Sequence, residues 1–222
     1  MNDGEKALWL INRERVDRGL VPLHGIEANV TSVAQGYAQY LMDNDVFAHN
    51  ADGKTPRQRL LENPVINACL DSYSAENLAG FWGNWTLPVE RAVYLWMYDD
   101  SVSSWGHRHI LLWYPFSDNG GPAGKEGFIG IGRATGTYQQ WPNSTIIVMD
   151  GFDPCSTWDY GPDIVVGDLN GNGSLGLEDA VLAVRVLSQS ILTVHLDREP
   201  DKDGKIGLPD ALYILQSLAG LR

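Results

Sequence analysis

Two sets of residues in this chain have the types and spacing to do chemistry. Residues 168–179 and 199–210 repeat one loop. The first copy offers Asp168, Asn170, Asn172, Ser174 and Asp179, with Gly173 at its sixth position. The second offers Glu199, Asp201, Asp203, Lys205 and Asp210, with Gly204 at the sixth. Oxygen donors at positions one, three, five and twelve, a sixth-position glycine for the sharp turn and a main-chain carbonyl at seven suit a hard cation such as Ca²⁺. Two Ca²⁺ sites are expected, the second weaker because the longer Glu199 replaces an aspartate at position one. The second set is His49, Glu76, Asp99 and His107. Two imidazoles and two carboxylates are what a Zn²⁺ site or a general acid/base pair requires. Spread from position 49 to 107, they are by spacing alone better read as solvated or capping side chains.

The elements that must position these groups follow from periodicity. A helix is expected from Glu5 to Arg18, stopped by Gly19 with Pro22 beyond it. Val30, Val33, Ala34, Tyr37, Ala38 and Leu41 mark a second helical stripe. Residues 44–56 read as a loop carrying His49, and Pro56 opens a short helix through Leu61. Another helix follows Pro88, with Val89, Ala92, Val93 and Trp96 on one side. Residues 117–127 are rich in turn formers. Gly127–Arg133 and Ser144–Met149 read as strands, with Gly130 and Gly132 placed for close packing. After each repeated loop comes an apolar helical stripe: Leu177, Ala180, Val181, Val184 and Leu187, then Leu208, Ala211, Leu212, Leu215 and Leu218. These stripes need burial against each other or against the rest of the protein. Helices followed by strands, without βα alternation, make the larger part α+β.

The chain of 222 residues has room for a sizeable domain and a small one. Its division is expected as 1–155, a linker at 156–162, and 163–222. A net charge of −12 argues against nucleic acid, since nothing would neutralise phosphates. No stretch approaches the roughly 18 apolar residues of a bilayer span. Cys69 and Cys155 can form one disulfide or stand as two buried thiols. The chain opens Met1-Asn2-Asp3-Gly4-Glu5, without a leader, while weak Ca²⁺ loops suit an extracellular setting. A secreted or cell-surface protein with its leader removed is therefore expected.

Several motifs together carry a resemblance. His49, the run Glu76-Asn77-Leu78-Ala79, and Gly106-His107-Arg108 followed by Ile110-Leu111-Leu112 resemble the successive signatures of the CAP superfamily. These are the cysteine-rich secretory, antigen five and pathogenesis-related proteins, whose domain is also called SCP. Asn12, Arg15, the Gly53-Lys54-Thr55-Pro56 segment with Arg59, and Ile129-Gly130-Ile131-Gly132 match its bacterial members, so the resemblance spans roughly residues 5–152. It implies an α-β-α sandwich around an antiparallel sheet, with a cleft lined by His49, Glu76, Asp99 and His107. In some members such a cleft holds zinc; at the Asp99 position members usually carry Glu. His109, two residues after His107, is expected at the surface.

Residues 163–222 resemble a dockerin, a small all-α module of paired Ca²⁺ loops with Asp at position twelve. Position nine is glycine in both copies, Gly176 and Gly207, so water must complete that corner. A cohesin-like or other cell-surface protein is the partner this implies. Positions ten and eleven are Leu177-Glu178 and Leu208-Pro209 rather than small hydroxyl residues, which argues against cohesin itself. Three functional readings follow. The first is a secreted CAP-domain protein whose cleft binds a divalent metal or a small or extended ligand, with no catalysis required. The second is a metal-dependent hydrolase with Glu76 as general base. The third is an adhesive or scaffolding protein working through the dockerin-like module.

Overall fold

The computed structural model describes residues 1–112, 126–158, 165–188, 194–201 and 204–221. The chain divides into two compact units, Met1–Asp159 and Tyr160–Arg222. The turn-rich segment expected at 117–127 lies almost wholly outside the described residues, as does much of the expected linker.

In the first unit, α1 spans Asp3–Val16 and starts at a reciprocal cap: Asn2 Oδ1 accepts the Glu5 N–H, and Glu5 Oε2 accepts the Asn2 N–H. Its buried line of Ala7, Ile11 and Arg15 ends in a guanidinium that donates to the carbonyls of Val21 and Leu111, tying two loops to the helix. After β1 (Leu23–Ile26) comes α2 (Ala28–Asp43), then α3 (Pro56–Glu62) and α4 (Pro64–Asn67). Strand β2 (Leu70–Phe81) precedes α5 (Pro88–Tyr98) and α6 (Gly106–Leu111), and β3 (Glu126–Tyr138) and β4 (Trp141–Pro154) complete the sheet.

The sheet order is β1-β3-β4-β2, which leaves β2 at an edge. β2–β4 and β3–β4 are antiparallel, but β1 runs parallel to β3, so the sheet is mixed and not purely antiparallel as expected. Strand alternation splits the core into two layers. Ala79, Phe81, Ile147 and Met149 pack with α1, α5 and Leu111 of α6 on one face; Leu78, Ile146 and Val148 pack with α2 on the other. The unit is thus helix on both sides of a sheet. Gly130 and Gly132 let α2 lie directly on β3: a Cβ at Gly130 would stand 2.3 Å from Thr31 N, and one at Gly132 would stand 2.2 Å from the Ala34 carbonyl. Cys69 and Cys155 are bridged, joining the approach to β2 with the end of β4.

In the second unit, α7 (Leu177–Leu187) and α8 (Leu208–Leu218) each follow one of the repeated loops. Leu169, Ala180, Ala183, Ile206, Ala211 and Ile214 form its core. The apolar stripes read from sequence are therefore split: Ala180 and Ala211 go inside, while Leu177, Val181, Val184 and Leu187 on α7, and Leu208, Leu212, Leu215 and Leu218 on α8, are exposed. Small side chains let the two helices approach closely, and the larger ones remain on the outer faces.

Candidate functional site

Glu76 occupies the middle of the edge strand β2, on the face that carries α2. His49, in the segment between α2 and α3, reaches it with Nδ1 2.7 Å from Oε1. The carboxylate is completely buried, whereas the imidazole is 49% exposed. Its other oxygen, Oε2, accepts from Arg59 NH2 at 2.5 Å. Arg59, on α3, also donates to Asp52 Oδ1 at 2.9 Å and to the carbonyls of His49 and Lys54. Its guanidinium carbon lies 3.4 Å from the Tyr37 ring centroid, and the Tyr37 hydroxyl donates to the Ala48 carbonyl. The loop bearing His49 is thus fixed at four points by side chains from α2 and α3. Both Glu76 oxygens are committed, one to orienting an imidazole and one to a buried guanidinium.

Behind Glu76, directly opposite it across the β2–β4 pairing, stands Asp150. It is fully buried, and among the described residues neither carboxylate oxygen has a hydrogen-bond partner. Burial pushes this carboxyl well above the usual carboxylate range; the Glu76 charge adds to the effect and Arg59 opposes it.

The second histidine is built differently. α5 ends at Tyr98, and Asp99, its C-cap, is exposed. Ser104 and Trp105 then take left-handed backbone conformations, with φ of 57° and 65°, and turn the chain back into α6. This brings His107 Nδ1 within 2.6 Å of Asp100 Oδ1. Asp100 also accepts from Ser103 Oγ and from the Arg108 N–H. Burial of Asp100 opposes its ionisation, but these hydrogen bonds from Ser103, His107 and Arg108 outweigh it and hold the carboxyl below its ordinary value. The acid beside His107 is therefore Asp100, while Asp99 lies exposed at the end of α5. His109 is exposed, as expected.

The two histidines meet the sheet at one place. Glu76 holds His49, and the next residue, Asn77, donates from Nδ2 to the His107 carbonyl at 3.1 Å. Consecutive residues of a strand face opposite sides, so His49 and His107 approach the same stretch of the β2 edge from its two faces. Each imidazole commits Nδ1 to a buried carboxylate. Among the described residues of this unit, no three metal-donor side chains gather within 4.8 Å of one another. Three of the expected residues, His49, Glu76 and His107, thus fall into two carboxylate–imidazole pairs, the second completed by Asp100.

The repeated loops are held by side chains that accept their own backbone amides. Asp168 is buried, and its Oδ1 accepts the N–H groups of Gly171 and Asn172 while Oδ2 accepts that of Gly173. Asn170 and Asn172 turn their Oδ1 atoms back onto the N–H groups two residues on. Asp179 closes the loop, accepting from Asn170 and Gly176. Asp168 is also paired with the guanidinium of Arg198. Burial works against its charge, yet the Gly173 N–H, Arg198 and the remaining loop amides hold its carboxyl below the ordinary range. In the second loop, Glu199, Asp201 and Asp210 each bring a donor atom within 4.8 Å of the others. Asp210 accepts the Gly207 N–H, repeating the role of Asp179. Lys205 is exposed, and Asp203 lies outside the described residues. Sequence reasoning missed Arg59, Asp100, Asp150 and Arg198. Arg59 stood within a quoted motif; the others needed tertiary contacts to be found.

No protein-family model matches the chain, and no curated protein matches it. Among solved structures, the chain is similar to an outer surface protein from Borrelia burgdorferi, with 23% identity, 69% of this chain and 94% of that one covered, and a TM-score of 0.49. It is also similar to BmVAL-1, with 16% identity, 68% of this chain and 77% of that one covered, and a TM-score of 0.42. Neither likeness assigns a ligand or an activity.

Proposed function

We propose that this is a secreted or cell-surface protein whose first unit is a CAP-type binding domain and whose second is a dockerin-like Ca²⁺ module. The observation that carries the binding reading is the state of Glu76. A hydrolase would need that carboxylate to take a proton from water, but it is fully buried with both oxygens engaged. Its role is to orient His49, as Asp100 orients His107. An imidazole with Nδ1 held by a carboxylate is the usual support for a metal- or ligand-binding Nε2. No three metal-donor side chains of this unit gather within 4.8 Å among the described residues, so an ion at either nitrogen would need water or the ligand to complete its shell. That fits binding better than the three-ligand catalytic zinc site. The disulfide between Cys69 and Cys155 agrees with an oxidising, extracellular setting.

The test uses Zn²⁺ as the probe on the full chain. Wild type is expected to take up zinc, measured by elemental analysis after dialysis, and His49→Ala/His107→Ala to lose it. Stoichiometric zinc retained in the double variant would overturn the assignment of these nitrogens. For the second unit, EGTA is expected to lower the melting temperature by removing ligand linkage. An unchanged melting curve would remove Ca²⁺ from the account.

One observation favours a second reading, in which the dockerin-like unit is the working surface for a partner protein: the eight large apolar residues of α7 and α8 that remain exposed. Val181→Lys/Leu212→Lys is then expected to leave the melting temperature unchanged. A large drop would show that these faces are packed and would end this reading.

A further inference from the structure

The turn that carries the chain from α5 into α6 is built from residues that resist it. Ser104 and Trp105 both lie in the left-handed region, and among the described residues this is the one place where two successive non-glycine residues do so. An L side chain crowds its own backbone there, whereas glycine enters the region freely. The glycine comes one position later, at Gly106, whose φ is not left-handed. Arg108 supplies what the turn lacks. Its guanidinium carbon lies 4.0 Å from the centroid of the Trp105 ring, and its Nε donates to the Met97 carbonyl of α5 at 2.5 Å. A guanidinium suits this place because its flat face covers an indole while its edge keeps N–H groups for a carbonyl. The Trp105 N–H in turn donates to the Asp100 carbonyl at 3.0 Å.

Resting on the reading of His107 as a ligand-binding imidazole, we propose that Arg108 is a positioning residue for it: stacked on Trp105, it holds a strained turn in the one conformation that sets His107 Nδ1 against Asp100. Asp100 stands before the turn and His107 after it, so the 2.6 Å contact between them spans Ser104 and Trp105. Relaxing either residue out of the left-handed region redirects the chain and opens that contact. Strain of this kind persists only where the surroundings over-determine it, and here the stacked guanidinium and its bond to Met97 are the side-chain part of those surroundings. Arg108 also donates its main-chain N–H to Asp100 Oδ2 at 3.2 Å. Replacing the side chain leaves that donor in place, so the effect on His107 belongs to the guanidinium alone.

Long-range proton–nitrogen NMR on the full chain, without added metal and in mildly alkaline buffer, reads which ring nitrogen of each histidine carries the proton. A carboxylate only accepts, so in wild type Asp100 keeps the His107 proton on Nδ1, whereas an imidazole released to water prefers it on Nε2. Arg108→Ala should move the His107 proton to Nε2 and leave His49, held by Glu76, as it was. Trp105→Ala keeps the left-handed strain and loses the ring, so it should do the same. Trp105→Gly enters the turn unaided; it should keep the proton on Nδ1 and make Arg108→Ala harmless in the double variant. Glycine then outranks alanine, the reverse of their order at an ordinary backbone position. An unchanged His107 tautomer in Arg108→Ala would overturn the positioning role, and a His49 change beside it would overturn its confinement to this turn. Trp105→Ala behaving like Trp105→Gly would overturn the part played by strain, and this pair decides even where Arg108→Ala does not fold. No metal enters these readouts, so zinc retained without His107 would end the ligand reading and leave the positioning result standing.

Discussion

Replacing Arg59 with alanine should be the most damaging single change to the first unit that leaves its apolar core intact. The guanidinium is 7% exposed and is the basic partner of two carboxylates, Asp52 and Glu76, the second fully buried. It also counters the charge environment of Asp150. Removing one partner of a buried pair leaves the other charged in a poor dielectric, which costs about 3–5 kcal/mol. The stacked contact on Tyr37 and the hydrogen bonds to the His49 and Lys54 carbonyls disappear with it. For a unit of this size, that corresponds to a fall in melting temperature on the order of 10 °C.

The assay can be confined to the right unit, because all eight tryptophans lie within Met1–Asp159. Urea unfolding followed by tryptophan emission therefore reports that unit alone. The loss should appear as a lower urea midpoint than that of wild type. It should also be partly relieved in Arg59→Ala/Glu76→Gln, since the second substitution removes the charge left behind. A loss below about 1 kcal/mol, the range of exposed ion pairs, would refute the view that Arg59 neutralises a buried acid.

Three other outcomes follow from the same geometry. Gly132→Ala forces a Cβ onto the α2 backbone, and should cost about 1–3 kcal/mol, read as a lower urea midpoint; an unchanged midpoint would show that α2 can move away freely. Asp150→Asn should flatten the pH dependence of stability. The folded-state pKa of Asp150 is raised, so its contribution is fully present below the unfolded value and is lost as pH rises through the folded one; the variant should thus gain on wild type with rising pH, and a parallel pair of stability–pH curves would contradict this. Cys69→Ser/Cys155→Ser should lose about 2–5 kcal/mol by removing a crosslink that closes a long loop, and a reductant should have no further effect on that variant's melting curve.

The longer helices of the first unit were legible in the sequence because each buries one continuous stripe. Ala34, Tyr37, Ala38 and Leu41 repeat at helical spacing and all face the sheet, while Pro56 and Pro88 mark where two helices begin. β3 and β4 announced themselves through apolar runs, though both extend beyond the segments that sequence marked out. β2 did not, since its centre is Glu76-Asn77, and no local pattern explains a strand with charge in its middle. The explanation is tertiary: Arg59 and His49 come from one face to hold Glu76, and the His107 carbonyl comes from the other to accept from Asn77. The buried acids were hidden for the same reason. Asp150 follows the apolar run Ile146–Met149 and looks like a strand end until the register sets it opposite Glu76.

Asp99 and Asp100 show how narrow the limit is. Both are aspartates at the end of one helix, and only the residue at which α5 stops decides which is buried beside His107. In the second unit the limit lies in charge rather than geometry. The loop spacing locates both sets of oxygens, and a comparison of Asp with Glu at position one favours the first copy. That comparison cannot include Arg198, because nothing local places a residue of the second repeat on the first donor of the other loop.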